Sequence, residues 1–362
     1  MISPQLLALA RCPDCRGRVR GEPPALTCDT CGRRYDTGTD YLDLRPADVF
    51  AEQTKYLDAS LHADARHETV SPPLLSAAVR NDMLRAFLQP RAGDRIVDLG
   101  CGSGRVLLWN RGSGAYQAGI DVTPFFAVEA RADVDLALGD LRRLPFADGA
   151  FTKAYALDVL EHLSRDALTS VLAEAARVLE PGGRLFVYSH VRKNSRLALG
   201  LRAINRVAAA LDRVGLVDLS QERLRKSDHL NPLADIPDLE RVVADAGFRL
   251  ARIRYYTPLA GAFIENILAR VVQQALARRA SRAGGAGEDS AGARAAARTE
   301  AKRRIARRGA TYWALCAATA VMKADIVLFG RVRSGPFFAL LVKESAPGTG
   351  RQEPTEPRAQ TR

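Results

Sequence analysis

Between residues 91 and 190, short apolar runs alternate with stretches whose apolar residues recur every three or four positions. Runs of about five apolar residues bounded by Gly, Asp or Pro read as buried strands, and longer periodic stretches read as helices. Strands are expected at 95–99, 116–121, 135–139, 151–157 and 184–189, with a helix at 166–179 that stops before Pro181-Gly182-Gly183. A leading helix within SPPLLSAAVRNDMLRAFL ends before Pro90. Beyond 190 the pattern turns helical and basic: helices are expected at 194–216, 236–246 and 262–280, and strands at 248–256 and 336–343. Alternating strands and helices imply an α/β fold with a mostly parallel sheet covered on both faces. The texture divides the chain into a Cys-rich segment at 1–45, a linker and leading helix at 46–79, and a main domain at 80–344. That domain carries helical insertions at 191–235 and 258–330, and a tail at 345–362 rich in Pro, Gly and charge is expected to be disordered.

Composition narrows the class. A 362-residue chain that is 47% hydrophobic and 26% charged is globular. No eighteen-residue run is free of charge: the apolar stretch 312–322 meets Lys323 and Asp325, so a spanning helix is not expected. The start, MISPQLLALARCPDC, has no basic leader and too short an apolar run for a secretory signal. Six cysteines, four of them within the first 31 residues, do not form a disulfide framework, and a cytoplasmic location follows. Fifty-three Lys and Arg against 41 Asp and Glu give a formal charge of +12. That excess permits nucleic acid or an anionic membrane surface as a partner, although an Arg- and Ala-rich composition also follows from a GC-rich genome.

Two motifs carry chemistry. Cys12-Pro-Asp-Cys15 and Cys28-Asp-Thr-Cys31 are paired knuckles that place four thiolates around one tetrahedral zinc ion. A redox dithiol or two disulfides suit the pairing less well. With every position filled by Cys, no place remains for water, and the metal is expected to be structural. The second motif is Val97-Asp-Leu-Gly-Cys-Gly-Ser-Gly104, where an apolar strand runs through a glycine-rich turn into a helix. A nicotinamide fingerprint would need glycine at position 105, which is Arg105. The neighbouring strands end in Ile120-Asp121, Gly139-Asp140-Leu141 and Leu157-Asp158, where ligands bind on an open α/β sheet.

The first 45 residues resemble the zinc ribbon of the tRNA-methyltransferase activator family: Leu-Leu before the first knuckle, Cys-Gly-Arg-Arg-Tyr after the second, and a closing Tyr-Leu-Asp-Leu. The strand-end residues, with Leu157-Asp-Val-Leu-Glu-His-Leu163 and Leu179-Glu-Pro-Gly-Gly183, resemble class I S-adenosylmethionine-dependent methyltransferases, strongly over 80–190. That resemblance implies a doubly wound, Rossmann-like sheet of seven strands. It implies that Asp98 and the backbones of Gly100 and Gly102 hold the methionine part of the cofactor, that Gly104 belongs to the same cofactor-binding turn, and that Asp121 holds the ribose. Asp140 and Leu141 would hold the adenine, and the Leu157 carbonyl would face the ammonium.

A hydroxyl acceptor benefits from a base, whereas an amine need only arrive neutral. The candidates are His190 at the end of the fifth strand, His162 and His229; His190 is preferred, and the other two read as structural. The insertions pair apolar helical faces with arginines, as in Lys302-Arg303-Arg304-Ile-Ala-Arg307-Arg308 before the apolar stretch. Such faces pack on the sheet as a lid, meet a membrane, or do both. The expectation is a methyltransferase for a small-molecule or lipid-linked acceptor, cytoplasmic and peripheral on the inner face of the membrane. An RNA methyltransferase, or a scaffold that only keeps the fold, are the alternatives.

Overall fold

A computed structural model describes residues 2–38, 40–47, 70–192, 198–217, 219, 229–256, 260–268, 271, 309–333 and 335–344. Strands β1 (Val19–Glu22), β2 (Ala25–Cys28) and β3 (Arg34–Asp36) form a small antiparallel sheet. Eight more strands make the main sheet: β4 (Leu42–Asp43), β5 (Arg95–Leu99), β6 (Tyr116–Asp121), β7 (Asp135–Leu138), β8 (Phe151–Leu157), β9 (Leu179–His190), β10 (Phe248–Tyr255) and β11 (Pro336–Lys343). Their order is β10-β11-β9-β8-β5-β6-β7-β4, parallel except where β11 runs against both β9 and β10.

The sheet is buried on both faces because neighbouring residues on each strand serve different cores. Val97, Ala137, Val187 and Ala339 pack on one side. Ile96, Leu136, Phe186 and Phe338 pack on the other. This two-sided burial is why the strands read as continuous apolar runs. Helix α1 (Pro4–Leu9) opens the chain. Helices α2 (Ser76–Leu88), α3 (Arg105–Asn110) and α4 (Val128–Asp133) contribute to the second core. Helices α5 (Arg165–Val178) and α7 (Ile236–Asp245) contribute to the first. Ser164 caps α5 by accepting from the Ala167 N–H at 3.2 Å, and Arg177 near its last carbonyls suits the helix dipole. Helix α6 (Ala198–Arg213) and helix α8 (Ala310–Phe329) belong to the insertions.

Four strands lie at their expected bounds, and three expectations need correction. The sheet has eight strands and not seven, because Leu42 and Asp43 pair in parallel with Ala137 and Leu138. Two residues are too few for a period-two signal. Helix α2 runs unbroken across the expected boundary at 79/80, since Val79 and Leu84 face one core. The apolar stretch does not stop at Lys323: α8 continues to Phe329, with Lys323 paired to Asp82 at 2.5 Å and Asp325 buried. Most of the expected linker at 46–69, the helix at 262–280 beyond its first turns and the tail at 345–362 lie outside the described residues.

Candidate active site and metal centre

Strand β5 delivers the glycine-rich turn to the carboxyl edge of the sheet. Gly100 has φ 79°, and a Cβ there would meet Val159 Cγ2 at 2.6 Å, so only glycine lets the backbone approach the β8 end so closely. The N–H groups of Gly100 and Cys101 both donate to the Ile120 carbonyl, at 2.9 and 3.0 Å. Gly102 donates to Asp121 Oδ2 at 2.8 Å, while a Cβ on Gly102 would meet nothing within 4 Å. The turn is therefore pinned from below and open above.

Three carboxyls surround it. Asp98 is 2% exposed, and burial, aided by the charge of Asp121 and opposed by the Tyr155 hydroxyl, pushes its carboxyl well above the usual range. Among the described residues no cationic side chain forms an ion pair with Asp98, so a ligand bringing positive charge or N–H donors suits the position. Asp121 Oδ1 accepts from Thr123 N–H and Oγ1–H at 3.0 and 2.9 Å. Asp140 caps the turn Leu141–Arg143 and is gripped by the Arg142 side chain at 2.9–3.1 Å. An adenine amino group would have to share that carboxylate with Arg142. Leu157 closes β8. These features fit S-adenosylmethionine, a ligand with a ribose diol, an ammonium and a sulfonium.

The three candidate bases converge. His190 Nδ1 lies 3.4 Å from Glu161 Oε1, and Glu161 Oε2 accepts from Ser189 Oγ–H at 2.8 Å. Glu161 is 1% exposed; burial alone would raise its carboxyl, but His190 and the Ser189 hydroxyl hold it below its usual range, as a carboxylate. Nδ1 faces that carboxylate without the alignment of a hydrogen bond, so a small rotation of the ring is needed before Glu161 can hold Nδ1–H and leave Nε2 as the basic nitrogen. His229 packs edge-on to His162 with ring centroids 4.6 Å apart, and lies 6.1 Å from the His190 ring. Its segment is tied down by the Asn231 N–H, which donates to the Glu161 carbonyl at 2.9 Å. Glu161, His162 and His229 also offer three ligand atoms within 4.8 Å of one another, a donor set able to hold a divalent cation. Across from them Asp158, at φ 56°, pairs with Arg80, whose guanidinium lies 4.5 Å over the Tyr188 ring. A non-glycine residue in that left-handed region stores strain of the kind found at functional turns.

Residues 97–187 match the methyltransferase domain family. The chain carries a methyltransferase domain. Its fold is the class I, Rossmann-like one. The 27-O-demethylrifamycin SV methyltransferase of Amycolatopsis mediterranei is 32% identical over 170 residues, 44% of this chain and 57% of that protein. The demethylmenaquinone methyltransferase of Mycolicibacterium vanbaalenii is 38% identical over 108 residues, 28% of this chain and 45% of that one. Among solved structures, Haemonchus contortus phosphoethanolamine N-methyltransferase 2 with S-adenosyl-L-methionine aligns at TM-score 0.46 and 16% identity, covering 82% of this chain and 59% of that one. The chain spans about half the length of the curated relatives it matches.

In front of the methyltransferase domain, the four early cysteines meet. Cys12 and Cys31 sulfurs are 3.8 Å apart, Cys15 and Cys28 sulfurs 3.4 Å, and all four lie within 4.8 Å of one another. Sulfurs bound tetrahedrally at about 2.3 Å to one zinc ion would be about 3.8 Å apart, so the donor set fits. A Cβ on Gly17 would meet Thr30 Oγ1 at 2.3 Å and Cys28 Sγ at 2.8 Å, which makes glycine obligatory beside the sulfurs. The Tyr35 hydroxyl donates to Cys12 Sγ at 3.0 Å, and the Thr30 N–H to Cys28 Sγ at 3.4 Å. Burial alone would raise the Cys28 thiol, but the N–H groups of Cys31 and Thr30 and the neighbouring thiols bring it to about 7.

Sequence reasoning did not foresee Glu161, Ser189 or Arg80 in these roles. Glu161 stood in view beside His162, but its partner lies 29 positions on. For Arg80 no sequence signal set it apart, since its helix also carries Asn81, Asp82 and Arg85.

Proposed function

We propose that this chain transfers the methyl group of S-adenosylmethionine to a hydroxyl of a small or lipid-linked acceptor, and holds a structural zinc ion in its ribbon. When bound, the cofactor supplies a methyl group already activated for transfer. The chain must then seat that cofactor, orient an acceptor and take up a proton. Asp98 and the Gly100–Gly104 backbone would take the methionine part, Asp121 the ribose, Asp140 and Leu141 the adenine, and the Leu157 carbonyl the ammonium.

The observation that carries the acceptor chemistry is the Glu161–His190 pair, with Nδ1 and Oε1 3.4 Å apart. An amine has no need of a base, but a hydroxyl gains one. His190 Nε2 would take the proton of the acceptor hydroxyl as the methyl group leaves the cofactor's sulfur for the acceptor oxygen, the sulfonium becoming a neutral thioether. The imidazolium so formed is stabilised by Glu161, which Ser189 holds in place. The O-methyltransferase names among the relatives support this direction.

The test is methyl transfer from labelled cofactor into fractionated cell extract. Label is expected in the small-molecule or lipid fraction, and His190→Ala should lower its rate by about a hundredfold or more with cofactor affinity unchanged. Label in RNA would overturn the acceptor class. A chain that neither binds the cofactor nor transfers label would be a scaffold.

A further inference from the structure

Helix α8 is apolar on two opposite faces. Its inner stripe of Thr319, Met322 and Ile326 is buried, and the helix packs there on α2 and on the short helix Ala260–Phe263. The stripe is anchored by polar contacts: the Leu75 N–H donates to Thr319 Oγ1 at 2.9 Å, and the Gly261 N–H to Asp325 Oδ2 at 3.4 Å. Lys323 is taken by Asp82 at 2.5 Å. Both charged side chains between 310 and 329 are thus satisfied on the domain itself.

The outer face keeps Trp313 at 68% exposure, Val327 at 83% and Leu328 at 71%, with exposed alanines between them. Only 22% of the window Tyr312–Phe329 is buried. Phe263 and Leu268 add exposed apolar area on the segment against which α8 packs. A surface helix that has already buried one apolar stripe has no reason to carry a second, unless something covers it.

Charge identifies what covers it. Lys302, Arg303, Arg304, Arg307 and Arg308 precede the helix in the sequence, and the exposed Arg331 and Arg333 follow it, so basic residues bracket the helix along the chain. The chain's own segment 272–308 is a poor cover, because its large aliphatic residues are Val272, Leu276 and Ile305 alone. We infer that the outer face of α8, with Phe263 and Leu268 beside it, lies in the plane of an anionic lipid bilayer, apolar side chains in the acyl boundary and arginines at the headgroups. With its inner stripe held on α2, α8 lies along the surface and does not cross. Helix α2 also carries Arg80, so the buried face of α8 is one helix away from Asp158. The surface stands on exposure and charge and is independent of the methyl-transfer reading.

Flotation of the full chain with phosphatidylglycerol-containing or pure phosphatidylcholine vesicles tests this. Binding to the anionic vesicles is expected and should weaken at high salt. The double variant Val327→Asp/Leu328→Asp should lower the bound fraction by about tenfold or more; both residues are exposed, so an unchanged melting temperature checks that the fold is intact. Arg303, Arg304, Arg307 and Arg308 changed to Gln should weaken binding without destabilising the domain. Equal binding to both vesicle types, or by the double-Asp variant, would overturn the proposal. So would resistance to alkaline extraction, which would mean a spanning helix. Absence of binding with concentration-dependent dimerisation would assign the face to a second copy of this chain instead.

Discussion

Both oxygens of Asp121 are engaged by the chain itself, Oδ2 by the Gly102 N–H and Oδ1 by Thr123. A carboxylate has about four acceptor sites, so it can brace the turn and still receive two ribose hydroxyls. Asp121→Ala should therefore lose ligand bonds and loosen the turn together, costing on the order of 1–3 kcal/mol, or about tenfold or more in cofactor affinity. Calorimetric titration checks it, and unchanged affinity would place the ribose elsewhere. The positions of Asp98, Asp121 and His190 were legible in the sequence because each lies at or beside the end of a strand that the hydrophobic pattern locates. The Glu161–His190 pair was not, because a contact between the turn after β8 and the end of β9 depends on strand register, which single-sequence periodicity does not carry.

Between elements, α5 is joined to α7 by Arg165, whose two Nη atoms donate to the Asp238 carboxylate at 2.8 and 2.9 Å. Arg165 and the Ala234 N–H outweigh the cost of burial and hold Asp238 below the usual carboxylate range. A carboxyl whose folded value is depressed adds stability above its unfolded value and loses it as pH falls through the folded one. Asp238→Asn should destabilise the chain at neutral pH by about 1 kcal/mol, after discounting for the solvent around half-exposed Arg165. Urea unfolding should show that gap closing in acid; a gap independent of pH would mean that packing and not charge is lost. The elements themselves were legible wherever both faces of a strand or one face of a helix meet the core. They were less so where pairing is short, as at β4, or where charged residues interrupt an apolar run but find partners, as Lys323 and Asp325 do in α8.

Over the whole molecule, the cysteine-bearing N-terminal segment, the proposed ribbon, is not an appendage. Leu6, Ala10, Leu26 and Tyr35 belong to the same core as Phe146 and Phe151, Arg11 N–H donates to the Pro145 carbonyl at 2.9 Å, and the Ser3 hydroxyl binds Asp135. Cys28→Ser should lose the zinc proposed for the four sulfurs and lower the melting temperature of the entire chain by about 5 °C or more in one transition. Calorimetry with metal analysis decides the matter: a second, unshifted transition would make the ribbon a separate unit. The same continuity settles how the sheet ends. An open β7 would offer a row of unpaired backbone groups to any other strand, but the residues that follow the ribbon lay Leu42 and Asp43 along it. At the opposite border, β10 carries Arg249, Arg252 and Arg254 within eight residues, which discourages a neighbour of like charge. One border ends in a strand only two residues long and the other in a row of arginines, so the molecule can crowd against its copies without offering their sheets a long, neutral edge.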